Sequence, residues 1–350
     1  MSFPGPSLID FAARALTQTG TDGDAARVVA ELLVEADLLG HGTHGIDLLA
    51  SYVAELERGT MLGTGEPDIL RDHGAIAHWD GRWLSGVRLI AQAIDTALEK
   101  ASRYGLGAVS IRRAHHTACL QAYLERATQR GMMVIIASSD PRSATVAPFG
   151  GLDPVLGPDP LALGIPTHGD PILIDMSSSI TTNGMVARIA ATGGLLPGPW
   201  LQDNAGRPSA DPKVLSASPP GSMLLAGGQD HGHKGFGMAL AVEALSQGLS
   251  GHGRANAEPR WSASVFVQVI DPAAFSGLDD FADQAEALVR LCHGARPHPD
   301  FTAVRLPGER ALARKRHALQ HGIVLHAYTL TKLTELSRRL GLSLPQPLAR

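Results

Sequence analysis

The sequence predicts an α+β protein: a central mixed sheet with flanking helices packed on it, and a helical domain formed by both termini. Three observations carry this. Apolar residues recur at helical spacing through the first sixty residues and again from Leu278 towards the C-terminus. Between these stretches lie short apolar or alternating runs of strand length, set off by glycine and proline. Only some of those runs are separated by helical segments, so a regular β–α–β series is not supported. The implied division joins residues 1–73 with 309–350 as a helical domain and assigns 74–308 to a sheet domain.

Taken in order, Ser7 is placed to cap a helix through Leu16, and Asp22 or Asp24 to cap a second that runs to about Leu39. After a glycine-rich bend, Ile46, Leu49, Val53 and Leu56 keep one face apolar until Gly59 ends a third helix. Near Gly74 the texture changes. The alternating Ala75-Ile76-Ala77-His78-Trp79 precedes a helix over 85–104 that Gly105 stops. Strands are expected over 108–111, 132–137, 161–165, 172–175, 223–226 and 264–271, with a helix over 117–129. The tail returns to helix over 278–292, 309–319 and 328–340.

Composition narrows the function. A chain of 350 residues with 44% hydrophobic content has room for two domains or one large one, and reads as a soluble globular protein. A formal charge of −4 argues against nucleic acid or an anionic membrane as the main partner. No run of eighteen apolar residues occurs, and Met1-Ser2-Phe3-Pro4 lacks the basic region and apolar core of a secretory signal. Cys119 and Cys292 have no metal-type spacing and read as reduced thiols, so the expectation is a cytoplasmic protein acting on a small molecule.

Four places concentrate chemistry. Gly40-His41-Gly42-Thr43-His44-Gly45 spells the dinucleotide fingerprint, but a helix, not a strand, leads into it, so the Rossmann reading fails on context. What remains is a bend that sets the Thr43 hydroxyl beside the His44 imidazole, a group able to move a proton near neutral pH. His115-His116 follows a strand, an address where active sites often form. A zinc site from His41, His44, His115 and His116 lacks a carboxylate or thiolate signature, so no metal is assigned. Asp175, Ser177, Ser178 and Ser179 end an apolar strand with acceptors and donors, or simply cap a helix. Gly232-His233-Lys234-Gly235-Phe236-Gly237 leads into a helix. Its glycines permit close approach, and Lys234 adds a charge suited to a phosphate or carboxylate.

Several motifs run in one order over nearly the whole chain. They are Thr43-His44-Gly45 with Tyr52 following, His116-Thr117-Ala118, Pro148-Phe149-Gly150-Gly151, Gly157-Pro158-Asp159-Pro160, Asp175-Met176-Ser177, the 232–237 segment, Asp271-Pro272, and Arg305-Leu306-Pro307-Gly308-Glu309. In this order they resemble the malate/L-lactate dehydrogenase family of the type-2, non-Rossmann kind. Its members include ureidoglycolate dehydrogenase, sulfolactate dehydrogenase, diketogulonate reductase and reductases of cyclic imino acids. The resemblance implies a largely antiparallel mixed sheet that binds NAD or NADP, a helical domain from both termini, and a homodimer. It assigns the cofactor to Ser139, to Ile172, Leu173, Ile174, Asp175, Met176 and Ser177, to His233 and Lys234, and to Gly308, Glu309 and Arg310. It attributes proton transfer to His44 or to His116.

The departures bear on the substrate. The family's arginine after Ser-His-Gly, which pairs with the substrate carboxylate, is Leu48 here. The threonine of Gly-Thr-Asn-Pro is Pro158, and a lysine is replaced by Met185. Losing a charge-assisted bond costs roughly 1.5–3 kcal/mol of binding. Arg142 or Arg188 is left to compensate, or the substrate lacks that carboxylate. The reading is an NAD(P)-dependent oxidoreductase of a 2-hydroxy/2-oxo acid or related imino acid. His44 is the proton donor, Thr43 bonds the substrate oxygen, His116 is the second acid/base, and Asp175 orients a histidine or the cofactor. The alternatives are a nucleotide-binding relative that has lost turnover and a histidine-based metallohydrolase.

Overall fold

The fold is described from a computed structural model covering residues 1–348. A two-residue strand β1 (Ser2–Phe3) leads into α1 (Gly5–Gln18), α2 (Gly23–Leu39) and α3 (Leu49–Glu57). The first helix starts before Ser7, because a proline in its first turn presets the helical φ and needs no N–H there. Gly40 ends α2 at φ 92, and a 3₁₀ turn over Ile46–Leu48 turns the chain into α3, so the bend read from the sequence is present.

The strands β2 (Asp68–His73), β3 (Ile76–Asp80), β4 (Leu106–Ala114), β5 (Met133–Ser139), β6 (Leu161–Ile165) and β7 (Ile172–Met176) enter the central sheet in turn. A separate small sheet holds β8 (Leu201–Gln202), β9 (Pro208–Ser209) and β10 (Ser222–Met223). The chain then returns through β11 (Ala263–Ile270), which inserts at the middle and gives the order β2-β3-β4-β11-β5-β6-β7. Only β3 and β4 run parallel; every other neighbour pair is antiparallel. Phe266 of β11 lies opposite both Ser110 and Ala137, and Val265, Val267 and Val269 point into the core. The late strand in the centre is the reason a regular β–α–β alternation is missing from the sequence.

The helix α4 (Gly86–Tyr104) packs its apolar face, including Val87, Ile90, Ile94 and Leu98, across β4 and β11. The remaining helices are α5 (Glu125–Thr128), α6 (Asn183–Ala191), α7 (Gly228–His231), α8 (His233–Glu243), α9 (Leu278–Gly294), α10 (Glu309–His321) and α11 (Ala327–Leu340). The chain ends meet: β1 pairs with β12 (Ile323–Val324), α10 lies on α2, and α11 lies on α3. One apolar core runs from Phe11 and Leu33 through Tyr52 to Val109 and Val267, and takes in Leu312 and Leu333 from the C-terminal helices. A smaller core around Val146, Val186, Leu201 and Met223 lies under α6.

Three expectations are corrected. Residues 117–129 are not one helix: Ala118 has φ 54, which an α-helix cannot contain, and only a 3₁₀ turn (Leu120–Tyr123) and α5 follow. The strand over 223–226 shortens to Ser222–Met223, and Leu225 makes an isolated bridge to Ser179. The 232–237 segment is no glycine loop ahead of a helix; His233 already begins α8, one turn after α7. No helix among the described residues is long and apolar enough to cross a membrane.

Candidate active site

The bend after α2 is folded back on a half-buried acid. Asp37, in the last turn of α2, accepts the Ile46 N–H at 2.7 Å. Gly45 lies so close to that carboxylate that any Cβ there would collide with it. Burial pushes the Asp37 carboxyl up to about 7. Thr43 Oγ1 and His44 Nδ1 stand 2.9 Å apart on this bend. His44 is pushed down to about 4, first by burial and then by the nearby His41 and Arg188.

The second imidazole comes from the end of β4. Gly86 carries no side chain, so α4 starts against the His115 and His116 carbonyls and holds that corner in place. His115 is fully buried with Nε2 at 3.3 Å from Glu55 Oε2, and burial lowers it to about 4. His116 Nδ1 is 2.8 Å from the Tyr52 hydroxyl of α3, and its ring packs on Trp261 at 4.3 Å between centroids. Burial raises the Tyr52 pKa, so it remains a phenol and donates to His116 Nδ1; the proton of the neutral ring therefore sits on Nε2. Burial, with His44 and His115 nearby, holds the His116 pKa well below its ordinary value. The His44 and His116 rings stack at 6.3 Å with 27° between planes. The two candidate proton carriers read from the sequence are thus neighbours.

Asp175, at the end of β7, contacts neither ring by a hydrogen bond. It accepts the Gln121 N–H at 2.8 Å and lies 3.7 Å from Cys119 Sγ, and burial raises its pKa. Gln121 extends the connection, since its Oε1 is 2.7 Å from His41 Nε2 and its Nε2 donates to Leu173 O at 2.9 Å. Asp175 therefore reaches the bend through Gln121 and His41, and bonds neither His44 nor His116. His41, His115 and His116 are each engaged by a different protein partner, and no group of three or more metal-ligating side chains occurs among the described residues.

The remaining residues fall in two places. Around β7, Ile172 joins Glu309 and Arg310 in the lining of a cavity of about 620 Å³, with Arg305, Arg316 and Asp170 nearby. Gly308, at φ 95, caps α10 against Leu173, whose N–H donates to Pro307 O at 3.1 Å; a side chain at 308 would strike that strand. Leu173 and Ile174 belong to the same strand, Met176 at its end is exposed, and Ser177 Oγ donates to Ser179 O at 2.8 Å. At the second place, Gly235 brings α8 against the backbone of Ser178 and Ala226, leaving His233 and Lys234 exposed at its start. Ser139, at the end of β5, is buried and shares its hydroxyl with Ser246 at 2.6 Å and Gln247 at 3.0 Å. The helix α6 returns to the bend: a Cβ on Gly184 would lie 3.4 Å from Thr43 Cβ.

Sequence reasoning missed Asp37, Gln121 and Trp261. Asp37 carried a signal, an acid in the last turn of a helix whose neighbours Ala36 and Leu38 are buried. Gln121 and Trp261 carried none, because nothing local separates them from ordinary core residues.

Comparison with known proteins bears directly on this arrangement. A family model described as malate/L-lactate dehydrogenase matches residues 4–334. A malate dehydrogenase of Pyrococcus abyssi is 31% identical, with 97% of this chain and 94% of that protein covered. A Delta(1)-pyrroline-2-carboxylate/Delta(1)-piperideine-2-carboxylate reductase of Pseudomonas syringae pv. tomato is also 31% identical, with 95% of each covered. The crystal structure of malate dehydrogenase from Entamoeba histolytica superposes with a TM-score of 0.92 at 26% identity over 99% of both chains. The chain therefore belongs to the malate/L-lactate dehydrogenase family, and is an oxidoreductase.

Proposed function

We propose that this protein transfers a hydride between a nicotinamide cofactor, NAD or NADP, and the hydroxyl- or amine-bearing carbon of a 2-hydroxy acid or a cyclic imino acid. The observation that carries the proposal is the half-buried pair of stacked imidazoles, His44 held by Thr43 and His116 held by Tyr52. The relatives add support, since their names cover both an oxidation of a hydroxy acid and a reduction of cyclic imino acids. The residues near β7 fit a dinucleotide: the cavity beside Ile172, Glu309 and Arg310 is large enough for one end of it, and Gly308 keeps that wall close. Ser139, Leu173, Ile174, Asp175, Met176, Ser177, His233 and Lys234 complete the set that would hold it. When bound, the nicotinamide supplies or accepts the hydride.

The chain's own residues handle the proton. Both rings are neutral at neutral pH; in oxidation His44 can accept a proton from the substrate hydroxyl, and in reduction the same nitrogen returns it. His44 takes this role in our reading, with Thr43 bonded to the substrate oxygen. His116 presents its Nε2–H as a donor to the same oxygen, and Asp175 steadies the bend through Gln121 and His41. We further propose a helical domain of residues 1–73 with 309–350 beside a sheet domain of 74–308, a homodimeric assembly and a cytoplasmic location.

The test is oxidation of NADH and of NADPH, followed at 340 nm, with a panel of 2-oxo acids and cyclic imines. His44→Ala should lower turnover by about 10²–10⁴-fold, with cofactor affinity unchanged within a few fold. A variant with a near-wild-type rate excludes His44 as the proton carrier. One observation favours a second reading, a relative that binds nucleotide without turnover: Leu48 packs against the hydrophobic core and brings no charge to the bend. Cofactor binding without turnover on any compound of the panel would support it.

A further inference from the structure

We propose that Arg188 of α6 is the cation that holds the substrate's carboxylate beside His44, so that the protein takes an anionic substrate although position 48 offers no charge. The proposal rests on the hydride-transfer reading above. An acid bound next to a buried imidazole needs a fixed positive charge, and a guanidinium does this best because its planar fork meets both carboxylate oxygens.

The geometry of α6 places that fork. Gly184 lies over the hydroxyl–imidazole pair, with a Cβ at that position 3.4 Å from Thr43 Cβ and 3.8 Å from His44 Cε1. Residues four apart share one face of a helix, so Arg188 projects from the same face that covers the bend. Its Nη2 donates to Gly42 O at 2.8 Å, which is its sole hydrogen bond among the described residues. That bond fixes the side chain one residue before Thr43 and leaves most of its five N–H groups without a protein partner. The arginine is half-buried, so its charge is weakly screened, and its field reaches both His44 and Asp37.

Several other cations near the histidines are already engaged. Arg260 lies on the Trp83 ring at 4.2 Å and faces Glu258, and its charge falls on His115 rather than on His44. Arg58 pairs with Glu55, and Lys332 with Asp47 at 3.0 Å. Arg142 is exposed beside Asp140. The arrangement also accounts for Leu48: with the charge supplied from α6, the position in the 3₁₀ turn is free to pack into the core.

The experiment uses oxamate, a small carboxylate analogue of a 2-oxo acid, titrated into the wild-type protein saturated with NADH or NADPH and read by the cofactor's fluorescence. Two variants separate charge from structure. Arg188→Gln keeps a donor for Gly42 O but loses the charge, and Arg188→Lys keeps the charge but loses the fork. The expected result is that Arg188→Gln weakens oxamate by roughly 10–100-fold, that Arg188→Lys falls between it and wild type, and that cofactor affinity stays within twofold. With a turnover substrate, KM should rise by the same factor while kcat changes little. Oxamate binding by Arg188→Gln equal to wild type overturns the assignment and leaves the hydride-transfer reading intact. Cofactor binding by wild type with no response to oxamate overturns it equally. Absence of cofactor binding overturns the underlying reading, and the assignment with it.

Discussion

His44 and His116 lose proton affinity for the same reason: each is half-buried, where the charged imidazolium is poorly solvated. A free histidine protonates near 6.5, whereas His44 does so at about 4. The neutral base is therefore retained through the mildly acidic range. Oxidation of a hydroxy acid should hold its kcat/KM down to about pH 5 and fail towards pH 4, and a pH–rate profile with an acid limb near 6.5 would argue against a buried base. Asp37 runs the other way. Its folded pKa of about 7 lies above the unfolded value of 3.8, so its contribution to stability is complete below 3.8 and is lost as pH rises through 7. Asp37→Asn keeps the acceptor for the Ile46 N–H and cannot ionise. Relative to wild type its melting temperature should rise between pH 5 and pH 8, and a constant difference across that range would contradict the assignment. At this scale the candidate proton carriers were legible in the sequence, because Thr43-His44 and His115-His116 each set an imidazole beside an element end. Their supports were not. Tyr52 acts on His116 from 64 residues away and Gln121 on His41 from 80 residues away, distances that no local pattern encodes.

Among the elements, α8 shows what a glycine motif was for. Gly235 is buried with no room for a side chain: a Cβ would lie 2.6 Å from Ser178 O and 2.7 Å from Ala226 N. Gly235 thus serves close packing of a helix against a strand end, a need that stands beside the close approach to a phosphate or carboxylate read from the sequence. Gly235→Ala should cost about 1–3 kcal/mol through backbone displacement, measured by chemical denaturation. It should also weaken cofactor binding, and a variant of wild-type stability would mean that the contact is not enforced. The strands read best where one face or both are buried, as in β6 and β11, whose limits were recovered to within a residue. The strand β2 escaped because all six of its residues are exposed, so no alternation marks it. The helix α6 escaped because it is only nine residues long, carries an internal glycine and buries a single side chain, Val186. It was also the element that brings Arg188 to the bend, so the least legible helix is the one that carries the proposed carboxylate contact.

For the whole molecule, the C-terminus steadies the bend that carries Thr43 and His44. Asp47, three residues past His44, accepts from Thr329 Oγ1 at 2.7 Å and from Lys332 Nζ at 3.0 Å, both on α11. Lys315 of α10 bridges Glu35 of α2 at 2.6 Å and Glu125 of α5 at 2.7 Å. The β1–β12 pair then ties the two chain ends together. Thr329→Val removes a buried bond to a carboxylate and should cost about 1.5–3 kcal/mol. It should lower turnover as well, since the bend relaxes, and a loss of stability with unchanged turnover would separate the clamp from the site. The meeting of the termini could be inferred from helical patterns at both ends, but the order of the central sheet could not, because β11 reaches its place from more than a hundred residues beyond β5. The account depends on distant segments sharing one pocket, and a crystal structure of the protein with NADH and oxamate tests that most directly. The expected result places the nicotinamide ring beside the His44–His116 stack, the adenosine end in the cavity by Ile172 and Gly308, and the oxamate carboxylate on Arg188. A nicotinamide bound away from both imidazoles would contradict the account.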